Sequence, residues 1–167
     1  MEKTIKIGSK KIVIRASAAV LIYYKEQFGT EYMADREILK SEEQNEEFAV
    51  LMGGQLIWAM AKAANDKILP PEEFYEDIGS FDLDLAMIEA AELFDKSCQN
   101  INNDNTGERS ELTSESIVST ALLCKMSMDD LNKLSLSMAL NVINEYCRMK
   151  SGEEGYKQAT QEDFDNL

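Results

Sequence analysis

Histidine is absent from all 167 residues of this chain, and that one absence removes a large share of enzyme chemistry. The commonest general acid/base at neutral pH is gone, and with it the Ser-His and Cys-His nucleophile pairs and most zinc sites. Asp, Glu, Lys and Tyr still offer acid/base groups, so the expectation is a protein that is not an enzyme, with no catalytic, cofactor-binding or metal-ligating residue to name. Cysteine is nearly as scarce: Cys98, Cys124 and Cys147 are odd in number, far apart and in no C-x-x-C pair. They read as reduced, partly buried thiols of a cytoplasmic protein rather than as a disulfide framework. Long apolar runs are missing too. The most apolar stretch, 48–64, is broken by Gly53-Gly54-Gln55 and Lys62 and falls short of the ~20 residues a bilayer requires, so it belongs in a core. The N-terminus has no signal-peptide hydrophobic region, because Lys3, Lys6, Lys10 and Lys11 punctuate it.

Positive charge is in short supply everywhere except at the start. Residues 1–40 carry a net +3, whereas 41–167 carry −17, for −14 overall. An acidic body repels phosphate backbones and argues against nucleic acid as the main partner. The charge serves solubility, or it attracts a basic client. With 44% hydrophobic residues the composition is that of a folded globular chain.

What is present is clearest between residues 4 and 29, TIKIGSKKIVIRASAAVLIYYKEQFG. Residues 4–7 and 11–15 alternate apolar and polar, the period of half-buried strands. Gly8-Ser9 between them suits a two-residue type II′ turn, which sets Ile5 opposite Ile12 and Ile7 opposite Lys10. In that register Ile5, Ile7, Ile12 and Ile14 share the core face, and a slip of one residue would scramble them. Ser17 is placed to cap a following helix whose stripe is Val20, Leu21, Tyr24 and Phe28, with Gly29 as its stop.

A polar stretch follows over 30–47, with Glu42, Glu43, Glu46 and Glu47 ahead of a helix from Phe48 to about Asp66. Those acids favour the positive end of that helix. Phe48, Leu51, Met52, Ala59, Met60 and Ala63 fall on one stripe, while Val50, Ile57 and Trp58 make the segment apolar nearly all round, as in a central helix. Gly53-Gly54 marks a kink or a close crossing. Pro70-Pro71-Glu72-Glu73 stops one helix and starts a short one with Phe74, Tyr75 and Ile78 on its apolar side and Gly79 at its end. Asp82 is expected to cap the next, carrying Leu83, Met87, Ala90 and Phe94. The run 100–112, NINNDNTGERSEL, favours no regular element and reads as a linker. Beyond it, helices start at Thr113 or Ser114, at the capping-box-like Ser127-Met128-Asp129-Asp130, and near Ser135.

Chemical motifs fail one by one. There is no G-x-G-x-x-G, P-loop or G-x-S-x-G. Residues 102–113 echo a calcium loop but place Thr113 where a bidentate glutamate is required. Met126 to Ser135 has the rhythm of a helix-turn-helix, yet the helix after it offers Asn141, Asn144 and Glu145 where a DNA reader needs bases, with Arg148 only near its end. Methionine numbers nine, four of them in the last third. They fill a core, or they form an adaptable apolar surface for helical clients.

Taken together, TIKIGSKKIVIRAS, AAVLIYYKEQFG with TEYMAD, LIWAMAKAAN and ALLCKMSMDDLNKLSLSMALNVINEYC resemble the tail assembly chaperones of long-tailed bacteriophages and prophages of Gram-positive bacteria. The resemblance covers 4–66 and about 113–150. It implies a non-enzymatic factor of the host bacterial cytoplasm that binds the tape measure protein, helps bring tail-tube subunits to it and is absent from the finished virion. Some members of that family exist in short and long frameshifted forms. No cofactor, membrane or nucleic acid is implied, and self-association stays open. The competing reading is a small regulatory or partner-binding helical module of a mobile element, with a degenerate helix-turn-helix. The expected fold is mainly α: a β-hairpin packed on a helical domain over 1–99, the linker at 100–112, a small helical unit over 113–150 and an acidic flexible tail over 151–167. Exposed positions among Met126, Met128, Leu131 and Met138 are the candidates for client contact.

Overall fold

A computed structural model describes residues 1–41, 46–79, 83–99 and 113–151. Within them the chain is mainly helical, with one N-terminal antiparallel hairpin and eight helices. Strands β1 (Glu2–Ile7) and β2 (Lys10–Arg15) pair with Ile5 opposite Ile12 and Ile7 opposite Lys10. Gly8 has φ 58° and Ser9 does not share the positive φ, as a type II′ turn requires. Ile5, Ile7 and Ile14 are fully buried and Ile12 packs against them at the margin, so the alternation does put the isoleucines inside. Each fully buried isoleucine contributes roughly 1.5–3 kcal/mol.

That face is covered by the helices over Glu46–Ala64 and Asp84–Cys98, which pack on β2 and β1 respectively, and helix α1 (Ala19–Phe28) packs on the first of these. Val20, Leu21 and Tyr24 are buried, and Gly29 ends the helix in the left-handed region with its N–H on Lys25 O. Ser17 does not cap it. Ala18 is already helical at φ −62°, no side chain caps the first turn, and the Ser17 hydroxyl donates instead to Asn132 Oδ1 at 3.1 Å. A partner 115 positions away displaced the local one. The polar stretch after Gly29 contains a helix of its own, α2 (Tyr32–Ser41), held by Tyr32 in the core and by Arg36 on Asp95 at 2.7 Å.

Helix α3 (Glu46–Ala64) is the central element, packed on β2, α1, α2 and α5. Glu46 and Glu47 occupy its first turn, and Met52, Leu56, Ile57, Trp58, Ala59, Met60 and Ala63 are buried. Leu51 departs from the expected stripe: it is 57% exposed and Val50 beside it is exposed too, whereas Met52 is buried and Gly53 meets Met87. Gly53-Gly54 is a crossing point. A methyl on Gly53 would lie 2.8 Å from Met87 Cγ and one on Gly54 would lie 3.6 Å from the Tyr75 hydroxyl, so the pair admits side chains of the two following helices.

Those are α4 (Pro71–Ile78) and α5 (Asp84–Cys98). Pro71 opens α4, Phe74 and Ile78 are buried, and Gly79 at φ 84° ends it. In α5, Ala86, Ala90 and Phe94 face the core. The residue at its N-cap is Leu83, with no side-chain hydrogen bond, and Asp82 lies outside the described residues along with Glu42, Glu43, the run 100–112 and the tail from 152. The last helices are α6 (Ser114–Leu123), α7 (Met128–Lys133) and α8 (Leu136–Ser151). Thr113 with Ser116 and Ser127 with Asp130 form reciprocal capping boxes that fix the starts of α6 and α7. Ile117, Ala121, Leu131, Leu136 and Ala139 enter the same buried cluster as the hairpin isoleucines.

Candidate partner-binding surface

The helices α6–α8 are set against the body by a few polar bonds with fixed geometry. Ala18 N–H donates to Leu134 O at 3.0 Å, and Asn132 Nδ2 donates to Ala63 O at 2.9 Å. Glu31, just before α2, receives both the N–H and the hydroxyl of Ser114 at 3.1 and 2.8 Å. That carboxylate sits at the first turn of α6, where the helix dipole favours it. Glu115 beside it is held below the ordinary carboxylate range, first by its own backbone N–H and then by the Glu31 contact and Lys25.

On this frame the four candidate contact residues separate. Met138 is 55% exposed and Met128 is exposed to a lesser degree, so both offer apolar surface. Met126 is partly buried and packs against the core. Leu131 is only 2% exposed. It belongs to the core and offers nothing to a client, because the short α7 turns Leu131 inward to seat the helix and leaves Met128 at its start outside.

Sequence reasoning named Met138 and missed its companions on the same stripe, Val142 and Met149. In α8, Leu136, Ala139 and Ile143 face the core, and Met138, Val142 and Met149 lie on the opposite side at spacings of four and seven residues. That spacing keeps them on one stripe of the helix. Met149 is 72% exposed, the highest value of the three, and Arg148 bonds Glu145 within the same turn at 2.9 Å. Leu122 and Leu123 at the end of α6 are also mostly exposed. The available signal was that α8 has apolar residues on both sides, one more face than its packing can use.

Met128 borders a cleft of about 400 Å³ between the C-terminal end of α3 and α7. Arg15, Tyr23, Asn65, Asp66, Asp129 and Asn132 make its walls largely polar. Arg15 Nη1 and Asn132 Nδ2 both donate to Ala63 O, which satisfies a carbonyl at the helix end. The Tyr23 hydroxyl is pushed up, mainly by burial and then by Glu26 and Asp66, with Arg15 opposing. The Asp129 carboxylate is already paired with Lys133.

The remaining reactive groups are arranged for structure. Tyr24 lies 3.0 Å from Asp35 Oδ2 and 2.8 Å from Gln55 Oε1, and Thr30 donates to the same Asp35 oxygen at 2.7 Å. This buried network ties α1, α2 and α3 together, and it holds the tyrosine proton in place: burial and then Asp35 push the Tyr24 hydroxyl up. Burial likewise raises the Cys98 thiol, the opposite of what a nucleophile requires. Among the described residues there is no group of three metal-ligating side chains, and no helix is long and apolar enough to cross a membrane. Comparison of the chain with protein-family models, curated proteins and solved structures finds no match to any of them.

Proposed function

We propose that the chain is a non-enzymatic assembly chaperone of phage tails, one that binds the tape measure protein and assists assembly of the tail tube around it in the host bacterial cytoplasm without entering the virion. The reading rests on the resemblance carried by the hairpin, α1, α3 and α6–α8. One structural observation supports it: the outward stripe Met138, Val142, Met149 on α8, carried by a chain of net charge −14. An exposed methionine-rich stripe adapts to varied apolar helices, and a strongly charged body keeps the complex soluble. A tape measure protein is expected to be long and helical, with an apolar stripe that aggregates when uncovered.

Co-expression tests this directly. A tape measure fragment that is insoluble alone becomes soluble with this chain, and the complex survives moderate salt, because apolar contact is not screened over the ~8–10 Å Debye length at roughly 0.1–0.15 M. A fragment that aggregates equally with and without the chain overturns the assignment. Binding that vanishes between low and moderate salt assigns the interaction to the acidic body instead of the stripe.

A further inference from the structure

Among the described residues the hairpin is the whole of the sheet, so both strands are edges. In an antiparallel ladder, only alternate pairs exchange hydrogen bonds, and the residues of the other pairs point their N–H and C=O outward. The mutual bonds between Met1 and Ala16 (2.8 and 3.0 Å) fix the phase of that alternation. Counting inward from them, Lys3–Ile14, Ile5–Ile12 and Ile7–Lys10 are the bonded pairs. Glu2, Thr4 and Lys6 therefore aim their backbone groups out of the free edge of β1, and Lys11, Val13 and Arg15 do so from β2. Among the described residues no hydrogen bond beyond the ladder reaches the backbone of Glu2, Thr4 or Lys6, and all three are exposed.

We propose that β1 is a self-complementary edge on which a second copy of this chain docks, antiparallel and two-fold symmetric about Thr4, to make one four-stranded sheet. The register is specified by charge. Centred on Thr4, the two outward-bonding sets meet as Glu2 opposite Lys6 of the second copy, Thr4 opposite Thr4, and Lys6 opposite Glu2. Opposite charges and paired threonines are favourable cross-strand neighbours, and like charges are unfavourable. Sliding the copies by two residues puts lysine against threonine and loses both ion pairs. The other edge fails the same examination: β2 pairing with itself about Val13 sets Lys11 against Arg15 twice. Edge lysines ordinarily deter association. Here the Thr4-centred register gives each Lys6 the Glu2 carboxylate of the other copy, and Lys3, opposite Ile5, keeps Glu89 of its own chain. An isologous contact of this kind closes at two copies and does not propagate into a fibre.

The proposal is independent of the chaperone reading and is tested on the full chain without any client. Sedimentation equilibrium is expected to show a monomer–dimer equilibrium. Glu2→Lys or Lys6→Glu alone converts both ion pairs to repulsions and weakens the dimer by about tenfold or more. The double reversal restores it, and mixing the two single variants gives a heterodimer, since each lysine then faces a glutamate. Thermal melting checks that each variant is folded. Should Glu2→Lys unfold through its loss of the Arg15 pair, Lys6→Glu and the concentration dependence of Thr4 amide exchange carry the test. In the dimer that amide becomes protected as concentration rises. A chain that stays monomeric at its solubility limit overturns the proposal. So does a dimer indifferent to both reversals, or one dissociated by Val142→Glu and not by Lys6→Glu.

Discussion

The hairpin with α1 and α3 and the three helices after residue 113 handle apolar side chains in opposite ways. In the first region the strongest sequence signals are buried: three isoleucines of the hairpin, Val20, Leu21 and Tyr24 of α1, and a nearly continuous run from Leu56 to Ala61 in α3. In the second, Ile117, Ala121, Leu131, Leu136, Ala139 and Ile143 are used for docking, while Leu122, Leu123, Met138, Val142 and Met149 stay outside. A segment that leaves six large apolar residues exposed, Met128 among them, is poor at holding itself together and well equipped to hold something else. It compensates with local devices, the capping boxes Thr113–Ser116 and Ser127–Asp130, and with polar clamps to the body at Glu31 and Asn132.

The comparison breaks most severely if the two regions do not share a core. Phe94 of α5, the helix on which α3 and β1 pack, is fully buried and edge-on to Tyr32 at 5.1 Å and stands for the core of the first region, and Leu131 for the second. Phe94→Ala should cost about 3–5 kcal/mol and Leu131→Ala about 2–5 kcal/mol in denaturant unfolding. Both should shift one cooperative transition monitored by Trp58 fluorescence, since both side chains lie in one cluster. A Leu131→Ala chain that loses helix content while the tryptophan signal stays native would make the second region a separate body.

Asn132→Ala sharpens the same point with less force. It removes the acceptor of the Ser17 hydroxyl and one of two donors to Ala63 O, and Arg15 still serves that carbonyl. The expected loss is about 1–2 kcal/mol, read as a lower denaturant midpoint at unchanged slope. An unchanged midpoint would mean the clamp is replaced by water without penalty.

The capped helices should contribute to the acid response. Asp130 is held below its ordinary 3.8 by the Ser127 hydroxyl and then the Ser127 N–H. A carboxylate with a depressed folded pKa adds stability that is complete above about pH 4 and is lost as pH falls through the folded value. Asp130→Asn should therefore narrow the difference in Tm between about pH 7 and about pH 3. An equal difference in wild type and variant would show that the box contributes nothing through charge.

The hairpin was legible because every level agreed: alternation, a Gly-Ser turn and one register that puts all isoleucines on one face. Glycine and proline punctuation likewise gave the ends of α1 and α4. The errors share a cause, which is distance along the chain. Ser17 has the residue type and position of an N-cap, but its partner Asn132 is outside any local window. Leu51 obeys the helical stripe yet is exposed while its neighbour Met52 is buried, a difference that packing makes and the stripe does not show. Leu131 and Met138 look alike as apolar residues seven apart, and only the packing of α7 separates a core anchor from a surface residue. α2 carries Tyr32, Met33, Ile38 and Leu39 at its two ends with Asp35, Arg36 and Glu37 between them, and it is held by Tyr32, by Met33 and Leu39 against the core and by the ion pair of Arg36 with Asp95 in α5.

The smallest stability effect belongs to the stripe on α8, and it discriminates best. Met138→Gln with Val142→Ser changes two exposed positions opposite Leu136 and Ala139, so the denaturant midpoint should move by no more than about 0.5 kcal/mol each. Client rescue should nevertheless fall, because the polar groups would have to be desolvated against an apolar helix. The matched control is Leu85→Gln with Ile88→Ser on α5, two exposed apolar residues at helical spacing that lie outside the second region. Equal loss from both pairs would mean that exposed apolar surface of any kind suffices and that α8 has no special standing. Loss from the α8 pair alone, in a chain as stable as wild type, would place client binding on the region that spends fewest of its apolar side chains on its own core.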